Sequence, residues 1–422
     1  MSNVFRALKT RNYRLYFSGQ LVSLIGTWMQ IIGQSWLVFK MTGKGLDVGI
    51  VNALQFTPML FGGAWGGLLA DRYPKRRTLI ATQTAFAISA AALAVLVTGG
   101  WARLWMVYAL AFAYGTVQVV DMPTRQAFVS EMVPTGDVIN AVSLNTAVFN
   151  GARLVGPAVA GILIAKVGIG WCFWANAISF GAVIVALTAM REKDLFDSGA
   201  RRVTGRGQIR AGLRYARSDP ELLYPLILMG VIGTLGFNFQ VVLPLLAGIT
   251  FHGNAQTYGF MSVAIAGGSV IGALFAASRS RPTKRLLMVS AFLFGLTEVV
   301  VAFMPTLRAA YVAFPFVGLA TILFISTANA GLQLWSKPEM RGRVLGLFSI
   351  VLLGSTPIGG PFLGWVSQRW SPRAALGLGG IVSMLAAVVI GAIMLSRHRR
   401  EPRRPAAVQP VPAETLTAAG GS

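Results

Sequence analysis

Gly67-Leu68-Leu69-Ala70-Asp71-Arg72-Tyr73-Pro74-Lys75-Arg76-Arg77 joins two long apolar runs, roughly 46–70 and 78–98. A turn this short between two membrane-length segments makes them an antiparallel hairpin. Its basic residues assign that end to the cytoplasm, because Lys and Arg are retained on the side where the chain is made. Gly67 removes a side chain one turn before Asp71, which lets another helix backbone approach. A carboxylate at such a junction needs a partner, and helix N-termini and Arg are the available ones.

Working outward, the whole chain reads as membrane protein. Its 422 residues are 55% hydrophobic and only 12% charged, with a mean hydropathy of +0.63. Soluble domains carry about 25% charged residues, so too little polar surface is present for water. At about 20 residues per span, the length accommodates around twelve helices. The single Cys172 excludes an intrachain disulfide and a cysteine metal cluster, and His252 and His398 are too few for a His-rich site, so no metal and no cofactor is expected. The net charge of +23 falls in loops at alternate ends of the spans. That pattern points to anionic lipid headgroups and away from nucleic acid. Met1 to Arg14 is basic, and the apolar run behind it is too long for a cleavable signal, so it reads as a short interfacial helix.

The expected spans are 13–40, 46–70, 78–98, 103–122, 140–166, 170–190, 222–250, 257–279, 285–304, 307–333, 343–368 and 373–396. With both termini cytoplasmic, about 29 Lys and Arg lie at the inner face and about 7 outside, with Arg153 within a span. The domain reading follows: an N-terminal segment 1–12, a six-helix bundle 13–190, a linker 191–221, a second bundle 222–396 and a tail 397–422. The linker carries Arg201, Arg202, Arg206, Arg210, Arg214 and Arg217, and its second half reads as an amphipathic helix. The Pro- and Ala-rich tail cannot bury a core and is expected to be disordered. The two bundles look like a repeat: Pro134, Gly156 and Pro157 correspond at one offset to Pro338, Gly360 and Pro361. Ala276 stands in the second copy where Asp71 stands in the first.

The opening stretch resembles the signature loop between the second and third helices of the major facilitator superfamily, G-x-x-x-D-R-x-G-R-R. Gly67, Asp71, Arg72, Lys75 and Arg76 fit, and Pro74 replaces the second glycine. The resemblance implies an all-α integral membrane fold of twelve helices in two pseudo-symmetric six-helix bundles. It also implies a cytoplasmic gate formed by those residues, and a substrate site between the halves. Gly151-Ala152-Arg153-Leu154-Val155-Gly156-Pro157-Ala158-Val159-Ala160-Gly161 is similar to the G-x-x-x-G-P-x-x-G-G signature of the drug–proton antiporters. Gly156, Pro157 and Gly161 fit, Gly151 is displaced by one position, and Ala160 replaces a glycine. Asn12-Tyr13-Arg14-Leu15-Tyr16-Phe17, Gly26-Thr27-Trp28-Met29-Gln30 and Asp121-Met122-Pro123-Thr124-Arg125-Gln126 resemble the enterobactin-exporter-like branch, the transmembrane secretion effectors.

The polar residues inside spans are the candidates for chemistry, because each is expensive unless paired or facing water. Tyr114, Gln118, Asp121 and Arg125 share one helical face. Asp121 is the leading proton-coupling candidate. Asp121 and Arg125 are also an i, i+4 pair, with Pro123 between them distorting the register, and Arg125 could instead pair with Asp71 and join the gate. Arg153 could balance Asp121 or bind an anionic substrate group, and Glu298 is the other isolated ionisable residue. Gln30, Gln34, Trp36, Gln118, Asn150, Asn238, Asn329 and Gln333 are the candidate cavity residues, since amides beside aromatics suit a large amphiphilic ligand.

The function these readings imply is secondary active transport in the cell membrane, with no enzyme activity, since no P-loop, H-E-x-x-H or nucleophile elbow occurs. A proton-driven exporter of a hydrophobic or amphipathic small molecule such as a siderophore or drug leads. The alternatives are a lipid flippase, an uptake symporter or a non-transporting membrane sensor. The expected partners are a small-molecule substrate, protons and membrane lipids, with the chain a monomer.

Overall fold

The computed structural model describes residues 3–196, 208–279 and 282–400. A short 3-10 turn, Asn3–Lys9, precedes six long helices: α1 (Arg11–Thr42), α2 (Gly45–Arg72), α3 (Lys75–Thr98), α4 (Leu104–Val129), α5 (Val138–Val167) and α6 (Gly170–Thr188). After the linker helix α7 (Gln208–Ser218), the seventh span is broken into α8 (Pro220–Leu235) and α9 (Phe239–Leu245). Then come α10 (Ala255–Ala277), α11 (Lys284–Ala302) and α12 (Leu307–Trp335). The eleventh span is α13 (Arg341–Gly354) plus α14 (Thr356–Arg369), and α15 (Pro372–Arg400) is the last.

Local chemistry sets these boundaries. Gly43, Gly100 and Gly168 adopt positive φ at turns where other residues would be strained. Asn254 caps α10 in a reciprocal capping box with Thr257, and Asp219, Thr283 and Thr306 cap their helices through side-chain oxygens. Among the described residues, eleven stretches are long and apolar enough to cross a membrane. α2 is equally suited by length, at 28 residues. Asn52, Gln55, Thr57 and Pro58 make its middle more polar than the others.

The helices form two bundles of six spans with matching internal pairings. α2 packs on α4 and α3 on α6 in the first; α10 packs on α12 and α11 on α15 in the second. The halves meet along two seams, α2 against α14 and α5 against α10. α7 belongs to the second half: Gly212 lies against Arg343, and the Tyr215 hydroxyl accepts from the Lys337 amide. Linker residues 197–207, with Arg201, Arg202 and Arg206, fall outside the described residues, as does 401–422. Because α15 continues to Arg400, the helix overruns the expected start of the tail.

Both seams are tight at the end away from the linker. A Cβ at Gly49 would stand 2.3 Å from the Gly360 carbonyl oxygen, and one at Gly364 would stand 2.2 Å from that of Gly45. In the other seam, a Cβ at Gly259 would lie 2.5 Å from the Pro157 oxygen, and Gly161 meets the Gln256 backbone. Small residues let these backbones touch. Towards the linker end the same helices separate. Gly63, Gly67, Gly151, Gly267, Gly342 and Gly346 have open space around the missing side chain. The halves therefore splay apart at the basic end and are closed at the far end.

Candidate functional site

Between the bundles lies a cavity of about 290 Å3. Its walls come from both halves: Trp28, Asn52, Phe56, Arg153 and Pro157 from the first, and Phe237, Asn238, Phe239, Tyr258 and Thr321 among those from the second. The break between α8 and α9 turns Phe237, Asn238 and Phe239 into the wall. Asn238 donates to the Thr234 carbonyl at 2.8 Å, while its own Oδ1 is buried with no partner among the described residues. Asn52 is fixed by donating to the Val48 carbonyl at 2.9 Å. Arg153 is the one charged side chain among the lining residues. Its guanidinium rests 5.8 Å from the centre of the Trp28 ring. Among the described residues it has no carboxylate partner.

A second polar constellation sits inside the first half. Asp121, 3% exposed, accepts through Oδ1 from the Thr82 hydroxyl at 2.7 Å and the Gln83 amide at 2.8 Å. Its Oδ2 accepts two bonds from Arg125, at 3.0 Å from Nε and 2.5 Å from Nη2. Arg125 in turn donates to Gln20 at 2.5 Å. The carboxylate thus ties α4 to α3, and Arg125 ties it to α1. Doubly bonded charge-assisted pairs of this kind are the strong ones, and removing one member leaves the other buried and uncompensated.

This geometry realises the i, i+4 pair of Asp121 with Arg125 and leaves two other expected pairings unmade. Arg125 is engaged by Asp121, one turn away on its own helix, and so does not pair with Asp71. Asp121 is already neutralised by Arg125 and therefore does not balance Arg153. The intervening Pro123 does not break α4, so the i, i+4 register survives.

The signature loop is fastened within its own half. Lys75 pairs with Glu131. Arg76 donates to the Leu187 carbonyl at 2.6 Å and the Thr188 carbonyl at 3.0 Å, closing the C-terminus of α6, and also pairs with Glu192. Asp71 and Arg72 are exposed, and among the described residues neither takes part in an ion pair. Gly156 brings α5 onto α1, where a Cβ would stand 2.4 Å from that of Trp28. With Pro157 and Gly161 it lies on the closed side, whereas Gly151 faces open space.

Of the eight amide and aromatic candidates, Asn238 alone lines the cavity. Gln30 accepts from Asn176 at 2.7 Å in the contact between α1 and α6. Trp36 is buried in the core, stacked on Tyr258, and Gln34 is buried beside it in sequence. Asn150 bonds back to Thr146 on its own helix, Asn329 to Gln333, and Gln118 is half-buried. Glu298 is 1% exposed in the contact between α11 and α15, against Gly379 and Gly380, and its Oε2 has no partner among the described residues. Thr82, Gln83 and Gln20 were not singled out from the sequence. A lone carboxylate in an apolar span demands such donors, yet hydroxyls and amides are too common in helices for the sequence to say which ones supply them.

Residues 2–419 match the transmembrane secretion effector family. The chain is 27% identical over 352 residues to the staphyloferrin A transporter of Staphylococcus aureus, covering 82% of this chain and 87% of that one. It is 28% identical over 365 residues to the multidrug efflux pump Tap of Mycobacterium tuberculosis, covering 80% and 83%. Among solved structures, it is similar to an inward-facing bacterial homologue of the human lysosomal transporter Spinster. That match has a TM-score of 0.69 at 14% identity and covers 94% of this chain and 99% of the other.

Proposed function

This chain belongs to the transmembrane secretion effector branch of the major facilitator superfamily and is a membrane transporter, and from that premise we propose that it exports an amphipathic small molecule in exchange for protons. The observation that carries the reading is the asymmetry of the two seams around one central cavity. Glycine contacts close one end and open space separates the other, which is one of the two arrangements alternating access requires. With the basic end assigned to the cytoplasm, this is the inward-facing state, ready to take cargo from inside the cell. The similarity to the multidrug efflux pump Tap supports the outward direction.

The coupling step is assigned to Asp121. In the inward-facing state its carboxylate is held by Arg125, Thr82 and Gln83. Protonation cancels the charge that Arg125 answers, loosening the tie of α4 to α1 and α3. A proton taken up from outside keeps this tie unmade and so permits the return, and its release to the inside restores the pair. When the basic end closes, Asp71 becomes available to the N-terminus of α13, whose helix dipole favours an anion. Arg72, Lys75 and Arg76 brace that gate, and Gly67 leaves room for the approach. No cofactor is needed, since the proton gradient drives the cycle.

Inverted vesicles test this directly. Acidifying their lumen should drive uptake of an amphipathic solute chosen by thermal-stability screening, and Asp121→Asn should abolish it. Uptake by that variant at the wild-type rate would remove Asp121 from the mechanism, and uptake indifferent to the gradient would refute proton exchange.

A further inference from the structure

Resting on that reading of the central cavity as the cargo site, we infer that the cargo is an amphipathic organic anion, its acidic group bound by Arg153. Every other lining side chain is apolar, aromatic or neutral, so the cavity carries one uncompensated positive charge. The carboxylate that could have answered it, Asp121, is taken by Arg125. Glu298 lies in the contact between α11 and α15 and does not line the cavity. The guanidinium is steadied by the Trp28 ring, and among the described residues its N–H donors have no protein acceptor. A planar fork of donors held this way matches a carboxylate or another planar oxyanion.

The conformational cycle sharpens the requirement. While the basic end is open, water reaches Arg153. When both ends close, the same charge is enclosed among Trp28, Phe56, Phe237 and Phe239, where an unpaired guanidinium is costly. An anionic cargo supplies the missing partner, so occlusion is easier loaded than empty. A neutral cargo leaves that cost in place, and a cation adds repulsion.

Trp28, Phe56, Phe237 and Phe239 line the same cavity. The flat or aliphatic body of the cargo lies against them while its acidic group meets Arg153.

The test uses the purified full-length protein in zwitterionic-lipid nanodiscs and three probes sharing one body: 1-pyrenebutyrate, its neutral amide and the matching trimethylammonium cation. Binding is read by tryptophan-to-pyrene energy transfer, with empty nanodiscs subtracted. The butyrate should bind at least about tenfold tighter than either analogue, the discrimination expected of a charged hydrogen-bonded pair. Arg153→Gln should erase the preference and Arg153→Lys should retain part of it, with both variants checked for monodisperse elution. Equal binding of the three probes by the wild-type protein, or an unchanged preference in Arg153→Gln, would overturn the assignment. The wild-type comparison stands even where a variant fails to fold. None of these measurements depends on a proton gradient. Loss of the anion preference with gradient-driven export intact would sink this inference alone, and the converse would sink the exchange mechanism alone.

Discussion

Replacing Gly49 by alanine tests the seam that closes the far end. The added methyl would stand 2.3 Å from the Gly360 oxygen, 2.6 Å from its carbonyl carbon and 2.7 Å from Pro361 Cα. That is about 1 Å short of ordinary contact, and every atom struck is backbone, so α2 and α14 must move apart. Overpacking of this kind costs roughly 1–3 kcal/mol. The cost falls on the state in which the far end is closed and is relieved when it opens, so the equilibrium should shift about 5- to 150-fold towards the opposite state. Ser262 lines the cavity, and Cys172 is buried against the Ala160 carbonyl, so Ser262→Cys introduces a solitary accessible thiol. In an otherwise wild-type protein, a membrane-impermeant maleimide should label it from the basic side in inverted vesicles and scarcely from the other side in spheroplasts. Gly49→Ala should raise labelling in spheroplasts and lower it in inverted vesicles. Gly67→Ala, whose methyl meets nothing in this state, should leave the closed far end closed. Equal labelling from both sides in the wild-type background, or no response to Gly49→Ala, would refute the reading of the glycine contacts as the closed gate.

Other outcomes follow from the same geometry. Thr82→Val combined with Gln83→Leu removes both neutral donors to Asp121, and gradient-driven uptake should slow about tenfold or more while the Arg125 pair keeps the fold intact. Glu298→Gln should preserve gradient-driven flux, since that side chain is packed against Gly379 and Gly380 away from the cavity; loss of coupling in this near-isostere would transfer the proton site to α11. Arg76→Ala forfeits two bonds to the end of α6 and should lower the thermal unfolding midpoint more than Lys75→Ala, which loses one part-exposed ion pair worth about 1 kcal/mol or less. Exchange of an organic anion outward for a proton inward moves charge in the same sense twice, so a valinomycin-imposed inside-negative potential should accelerate anion export at constant pH. Indifference to the potential would show a neutral exchange.

Much of the architecture was legible before any coordinates. Hydrophobic runs long enough to span a bilayer must become helices there, because no water is available to satisfy a bare backbone. Basic turns at alternate ends then order them, and the recurring Gly-Pro pairs announce the repeat. Where the reading failed, it failed on interhelical partners. Gln30 and Trp36 have the composition of a binding surface, yet the rotation of α1 turns them onto α6 and α10. The polarity of a side chain states that it needs a partner and is silent on whether that partner is protein, water or cargo.

The chain's order of apolar and basic segments therefore determined the helical membrane fold, its division into halves and the small set of charged residues that had to be accounted for. The pairing of Asp121 with Arg125 is legible as an i, i+4 spacing, and only the packing of helices distant in sequence decided what completes it and which charge is left over. Arg125 closes on Asp121 across one turn, α3 and α1 complete that pair, and the two bundles leave Arg153 facing the cavity with no carboxylate partner among the described residues. Helix formation follows from local solvation, whereas charge compensation depends on which helix faces are brought together.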